Sequence, residues 1–182
     1  MSEGPPPWAV MTSERHAHVL RVAALAERWA DSMGVGEHER ARWRRAVWLH
    51  DALRDAREAD LRALAPGWAG PVELLHGPAA ANRAGAGEET DQGILEAVRY
   101  HSVGRPDWDM AGKVLYCADF LEPGRSFDRS DRAMLADRFP VAPEEVLLEV
   151  ATRRLAWLVR SRWSIPEPTW RFWNSLVRDG WA

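Results

Sequence analysis

Apolar positions recur at three- and four-residue intervals through most of the chain, the spacing of a helix face turned toward a core. Residues 13–33 place Val19, Val22, Leu25, Ala26 and Trp29 on one such face, and Gly34 and Gly36 stop it. A second amphipathic segment, 37–54, runs through Trp43, Ala46, Val47, His50 and Leu53, and a short third one, 57–65, ends at Pro66-Gly67. The Ala-rich stretch 71–86 opens at Pro71, a favourable first helical residue. Residues 91–101 align Ile94, Ala97, Val98 and His101 before "SVGRPD" breaks the pattern. Asp109 can cap a helix over 110–121, halted at Glu122-Pro123-Gly124. Segments from Ser130 to Phe139, from Pro143 to Trp163 and over 169–178 complete the series. Strand alternation and Asn-Gly hairpin signals are missing. The pattern predicts an all-α helical bundle of roughly eight helices. It forms a single domain over 13–182, preceded by a flexible segment, 1–12.

Composition narrows the class. With 182 residues, 46% hydrophobic and 28% charged, the chain is large enough for one real core. A net charge of −3 gives no electrostatic footprint for nucleic acid or an anionic membrane. No run approaches the ~18 apolar residues of a membrane span. The start, "MSEGPPPWAV", lacks the basic and apolar regions of a signal peptide. One cysteine, Cys117, excludes an internal disulfide, so a reducing cytoplasm is expected. Eleven Trp is a high count. Trp163, Trp170, Trp173 and Trp181 are expected to pack over the core from the C-terminus, and the Trp content leaves room for a homodimer.

The chemistry sits on the apolar faces. In "AVWLHDALRD" an apolar run leads into adjacent His50 and Asp51, roughly 100° apart if both are helical. His18 shares a face with Val22, Leu25 and Trp29; His101 with Ile94, Ala97 and Val98. His76 follows Leu74-Leu75, and Asp119 lies beside Leu115 and Tyr116. His16 falls on a different face from His18, and His38 in a charged helix start. Each unsatisfied buried polar group costs about 1–3 kcal/mol. A divalent cation resolves that cost, since neutral imidazole and carboxylate are its natural ligands.

The order His18, His50-Asp51, His76, His101, Asp119 resembles the HD superfamily of metal-dependent phosphohydrolases. More narrowly, "ERHAHVLRVAALAERWA", "LLHGPAAA", "ILEAVRYHSVG", "KVLYCADFLEPGR" and "PEPTWRFWNSL" are similar to the YqeK-type family of symmetric diadenosine-tetraphosphate hydrolases. The resemblance implies iron, with manganese as the alternative, held by His18, His50, Asp51 and Asp119. It implies that His76 and His101 face the phosphates or hold a second metal, and that the substrate is split into two ADP. Arg54 and Ser102 stand where the family usually has Lys and Thr. Arg keeps the charge but replaces a mobile point charge by a planar fork.

Phosphoryl transfer asks for a Lewis-acidic ion, an oriented water and cations against the phosphoryl oxygens. Asp51 is placed to orient the water. Arg15, Arg54 and Arg125 are the cations nearest the ligands in sequence, and His76 or His101 can act as a proton donor if protonated. "GAGEET" lacks the Lys-Ser/Thr of a phosphate-binding P-loop. Two other readings share the sequence: a nucleotidase or dNTP phosphohydrolase, and a nucleotide-sensing domain without turnover. The full ligand set favours catalysis.

Overall fold

A computed structural model describes residues 4–68, 70–87 and 89–179. Among these it contains α1 (Ser13–Ser32), α2 (Glu37–His50), α3 (Glu58–Leu64), a 3-10 turn (Val72–Leu74), α4 (His76–Gly85), α5 (Gln92–Tyr100), α6 (Met110–Leu121), α7 (Arg129–Arg138), α8 (Pro143–Arg160) and α9 (Glu167–Asp179), and no strand. The all-α expectation therefore holds.

Capping chemistry fixes most boundaries. The Thr12 side chain accepts from Arg15 N, Asp91 from Gly93 N and Ile94 N, and Asp109 from Gly112 N. Each satisfies a backbone donor that has no partner inside its helix. Pro143 opens α8, where its missing N–H costs nothing.

Two sequence expectations fail at the boundaries that matter for the site. The segment 37–54 is not one helix: α2 ends at His50, and Asp51 has φ −108° and ψ 14°, outside the helical region. Residues 51–54 form turns, so the backbone leaves the helix where His50 and Asp51 meet. Pro71 does not open a helix either. It precedes the 3-10 turn, and α4 begins at His76 with Pro78 in its first turn.

Helix α6 is the central element, touching α1, α2, α5, α7 and α8. Its residues are buried nearly all round, as an apolar helix in mid-core requires. Two close approaches admit no side chain. Gly112 lies under the Trp108 ring, and Gly104, at φ +85°, lies under Phe172. At the far end of the core Trp29 stacks on Phe139 at 4.0 Å and donates its N–H to Ala136 O at 2.7 Å. Burying such a ring contributes several kcal/mol.

The N-terminal segment is tied to the body near the site. Val10 N donates to Ala52 O, Asp55 N to Val10 O, and Thr12 N to Asp55 Oδ2. Trp8 packs on the core. The C-terminal tryptophans depart from expectation. Phe172 is the buried anchor of α9, with Trp173 and Leu176 packed beside it, so Trp170 falls on the opposite face and is 44% exposed. Trp163 is 46% exposed, and Trp181 lies outside the described residues. Among the described residues no helix is long and apolar enough to cross a membrane.

Candidate metal centre

Five helices and their ends deliver six titratable side chains to one buried point. His18 lies in α1, His50 is the last residue of α2, and Asp51 follows it. His76 is the first residue of α4, His101 follows α5, and Asp119 sits near the end of α6. None of the six is more than 8% exposed. The helix breaks at Asp51 and before His76 thus aim side chains that a continuous helix would splay apart. His16 is elsewhere, stacked on Trp48.

Hydrogen bonds orient every imidazole in one sense. His50 Nδ1 donates to Val47 O at 2.6 Å, His76 Nδ1 to Glu73 O at 2.9 Å, and His101 Nδ1 to Val98 O at 2.7 Å. His18 Nδ1 donates to Glu122 Oε1 at 3.1 Å. A carbonyl or carboxylate oxygen can only accept, so each Nδ1 carries hydrogen and each Nε2 turns inward. The Nε2 atoms of His76 and His101 lie 3.1 Å apart, and those of His18 and His50 are buried without a hydrogen-bond partner among the described residues. Facing lone pairs at that distance repel, and a cation between them removes the repulsion. The donor set fits a metal, with the outer nitrogens anchored as metal-binding histidines are.

Asp51 joins the two halves of the cluster. Its Oδ2 is 3.7 Å from His18 Nε2 and 3.6 Å from His50 Nε2; its Oδ1 is 3.3 Å from His76 Nε2 and 3.7 Å from His101 Nε2. Two ion-sized groups follow, His18-His50-Asp51 and Asp51-His76-His101, sharing one carboxylate. Asp119 flanks the first group, with Oδ1 3.2 Å from His18 Nε2.

The electrostatics favour the neutral, metal-binding form at two of the rings. Burial drives His101 down to about 3, reinforced by His76 and His50, and burial also lowers His50. Both rings are therefore held neutral, the form that binds metal. Burial opposes charge on His18 too, but the carboxylates of Asp119 and Glu122 beside it outweigh that and raise its pKa to about 9. Burial opposes ionisation of Asp51 and Asp119, yet the surrounding cations and imidazoles hold both well below the usual carboxylate range.

The other expected residues gather at the same point. Arg15 Nη1 donates to Asp51 Oδ2 at 2.8 Å, and Arg125 Nη2 to Asp119 Oδ1 at 2.9 Å. Arg54 Nη1 donates to Glu73 O at 2.6 Å, the carbonyl that also anchors His76. Ser102 Oγ is 3.1 Å from His101 Nε2.

Three residues at the centre escaped the sequence reading. Glu122 is 1% exposed and holds His18 and Arg21, whose Nε donates to Glu122 Oε2 at 2.6 Å. Arg154, from α8, donates to Asp119 Oδ2 at 2.9 Å. It also reaches Tyr116 O at 3.3 Å and Ser102 O at 3.4 Å. A usable signal existed for each buried one. Glu122 follows Asp119 by three positions, and Arg154 interrupts the apolar face of Leu147, Val150 and Ala151.

Comparison with known proteins gives the same picture. A symmetrical bis(5'-nucleosyl)-tetraphosphatase of Bacillus subtilis (strain 168) is 26% identical over 176 residues, 92% of this chain and 91% of that protein. A protein of the same name from Halalkalibacterium halodurans is 42% identical over 57 residues, 30% of each chain. A crystal structure from Clostridium acetobutylicum, described as a predicted HD superfamily hydrolase involved in NAD metabolism, superposes with a TM-score of 0.81. It shares 22% identity over 93% of this chain and 92% of that one, which shows the common fold. The HD domain model matches residues 15–139, a span that contains all six side chains of the centre, and the chain belongs to the HD-domain family.

Proposed function

We propose that this protein is a metal-dependent phosphohydrolase that splits diadenosine tetraphosphate symmetrically into two ADP. The observation that carries the metal-dependent chemistry is the inward convergence of four Nε2 atoms on Asp51, two of them buried without a hydrogen-bond partner among the described residues. The substrate comes from the names of the relatives, one of which spans nearly the whole chain.

When bound, the metal supplies Lewis acidity and lowers the pKa of a coordinated water toward neutrality. The chain's own groups do the rest. Asp51, ionised and shared between both histidine groups, accepts a hydrogen bond from the attacking water and fixes its direction. Water oxygen bonds to one inner phosphorus and gives up a proton, the bond from that phosphorus to the central bridging oxygen breaks, and the bridging oxygen leaves on the second ADP as an oxygen of its terminal phosphate. Arg15, Arg54 and Arg125 sit where negative charge grows on the phosphoryl oxygens, which preorganised guanidiniums stabilise. Ser102 contributes a hydroxyl hydrogen bond to the same oxygens. His101, held neutral by burial, serves as a ligand rather than a proton donor, so His76 beside Arg54 is the better placed of the two to face phosphate. Iron is our assignment for the ion, with manganese second. The protein acts on free nucleotides in the cytoplasm.

The test is hydrolysis of diadenosine tetraphosphate by the purified, metal-loaded protein, with products separated by chromatography and bound metal counted by elemental analysis. ADP as sole product, lost in His50→Ala and Asp51→Asn, is expected. AMP plus ATP would refute symmetric cleavage. Orthophosphate from mononucleotides would make it a nucleotidase. Absence of turnover with several metals would make it a nucleotide sensor.

A further inference from the structure

Residues 5–12 run along the edge of the metal centre before the first helix begins. Pro5, Pro6 and Pro7 each fix φ, so this stretch loses less freedom on docking than an ordinary tail. Ala9 N donates to Pro6 O at 2.9 Å, a turn that carries the chain past Trp8. The Trp8 ring is half-buried against the core, and the Arg83 guanidinium of α4 lies 6.0 Å from its centroid.

What this segment meets is the non-helical stretch that starts at Asp51. Ala52 is buried, and its carbonyl, which needs a donor there, accepts from Val10 N at 2.7 Å. Val10 O accepts from Asp55 N at 3.3 Å, and Thr12 N donates to Asp55 Oδ2 at 2.7 Å. The Val10 side chain is left exposed, so its backbone makes the contact. A ring of contacts then closes. Asp55 holds Thr12, Thr12 Oγ1 accepts from Arg15 N at 3.2 Å, and Arg15 Nη1 donates to Asp51 Oδ2 at 2.8 Å. The chain from Asp51 to Asp55 completes it.

Asp51 needs such a brace. The regular α2 ladder ends at it, so the helix does not fix the direction of its side chain. Its two oxygens nevertheless face four imidazole nitrogens at once, at distances from 3.3 to 3.7 Å. A rotation that brings one pair closer takes another away. Ligand groups must be held to within about 0.5 Å by the residues around them, and here the N-terminal segment is among those residues.

We infer that residues 8–12 are a positioning strap for the shared carboxylate: by holding the 51–55 turn against the start of α1, they set Asp51 between the two ion-sized groups. The Val10 N–H and the Asp55 carboxylate are its working parts, each joined to the other side of the strap and not to the histidine cluster. For metal binding the inference rests on the cluster alone; for catalysis it rests on the hydrolase reading above.

The experiment is calorimetric titration of the full chain, stripped of metal by a chelator, with manganese(II), beside hydrolysis of diadenosine tetraphosphate at saturating manganese. Val10→Pro removes the N–H and Val10→Ala keeps it; Asp55→Ala removes the acceptor and Asp55→Asn keeps an oxygen. We expect Val10→Pro and Asp55→Ala to bind manganese at least tenfold more weakly. Their kcat should fall at least tenfold with KM near that of wild type, because Asp51 directs the water while other groups hold the substrate. Val10→Ala and Asp55→Asn should stay close to wild type in both readouts. Wild-type manganese affinity in Asp55→Ala would overturn the strap, and this exposed position decides the matter alone if Val10→Pro does not fold. Equal losses within either pair of variants would overturn it too, since each pair differs in the strap's hydrogen bond. The two readings fail separately. The expected manganese losses in a protein that never cleaves diadenosine tetraphosphate would sink the hydrolase reading and keep the strap. Cleavage by wild type, with manganese affinity unchanged in Val10→Pro and Asp55→Ala, would sink the strap alone.

Discussion

His18 and Glu122, 104 positions apart in the chain, are joined by a 3.1 Å hydrogen bond from the imidazole Nδ1 to the carboxylate Oε1. The carboxylate is itself pinned by Arg21 Nε at 2.6 Å and by Gly124 N at 2.6 Å. Burial opposes its ionisation, but these donors hold its pKa down to about 2, so it stays charged and fixes the imidazole tautomer. Replacing it by Ala frees the ring to rotate and to exchange its protonated nitrogen. Glu122→Ala should weaken metal binding by roughly 10–100-fold, and Glu122→Gln, which can still accept through its carbonyl oxygen, by less. Metal titration of the purified variants, read by elemental analysis, checks this. Equal affinity in all three proteins would remove Glu122 from the ligand-positioning set.

Arg154 does for Asp119 what Glu122 does for His18. With Arg125 on one carboxylate oxygen and Arg154 on the other, Asp119 is held ionised although buried. Arg154→Gln leaves half of that carboxylate without a counter-charge. The expected cost is about 3 kcal/mol of stability, with a drop in metal content. Calorimetry of the metal-free variant measures the first and elemental analysis the second. A melting temperature within a degree of wild type would contradict the assignment.

Gly77 offers a steric test of the same centre. A Cβ there would lie 3.0 Å from the carbonyls of Val98 and Arg99 and 3.3 Å from His101 Cε1. Gly77→Ala must therefore push α5 and His101 away from α4. Hydrolysis should fall at least tenfold, because sub-ångström displacement of a ligand is felt at the reacting atoms. Far-ultraviolet circular dichroism should stay that of a helical protein. Wild-type activity would mean that the two helices have room the structure does not show.

Acid stability has its own marker away from the centre. Asp91 caps α5 through Gly93 N and Ile94 N and accepts from Arg42 Nε at 2.7 Å, joining α2 to α5. The Arg42 hydrogen bond lowers its carboxyl below the ordinary 3.8. A depressed folded pKa contributes stability that is present above pH 3.8 and lost as pH falls through the folded value. Asp91→Ala should then cost about 1–2 kcal/mol near neutrality, from cap and ion pair together. Denaturant melts should show the gap between the two proteins narrowing as pH falls below 3.8. A gap that stays the same size into strong acid would refute the ionic share.

Much of this was legible in the chain because burial leaves a period behind. The faces of Val22, Leu25 and Trp29, or of Ile94, Ala97 and Val98, mark helices and show that His18 and His101 point inward. The turns were less legible. That α2 stops at His50, or that α4 waits until His76, depends on how the histidines and their carbonyl partners pack, and no local residue announces it. Glu122 and Arg154 were hidden for another reason. A charged residue reads as solvated unless its counter-charge is known, and theirs come from helices 104 and 35 positions away. Among the tryptophans, hydrophobicity suggested burial, but only one face of α9 meets the core, and Phe172 holds it.

The position of Arg154 also bears on where the working unit ends. It lies fifteen residues past the close of the matched span, 15–139, yet touches a carboxylate inside it. A polypeptide cut at that close would keep every histidine of the cluster and lose the guanidinium that balances Asp119. Such a fragment would retain the family signature and miss part of the electrostatic support, so α8 is a constituent of the active unit and not an appendage to it.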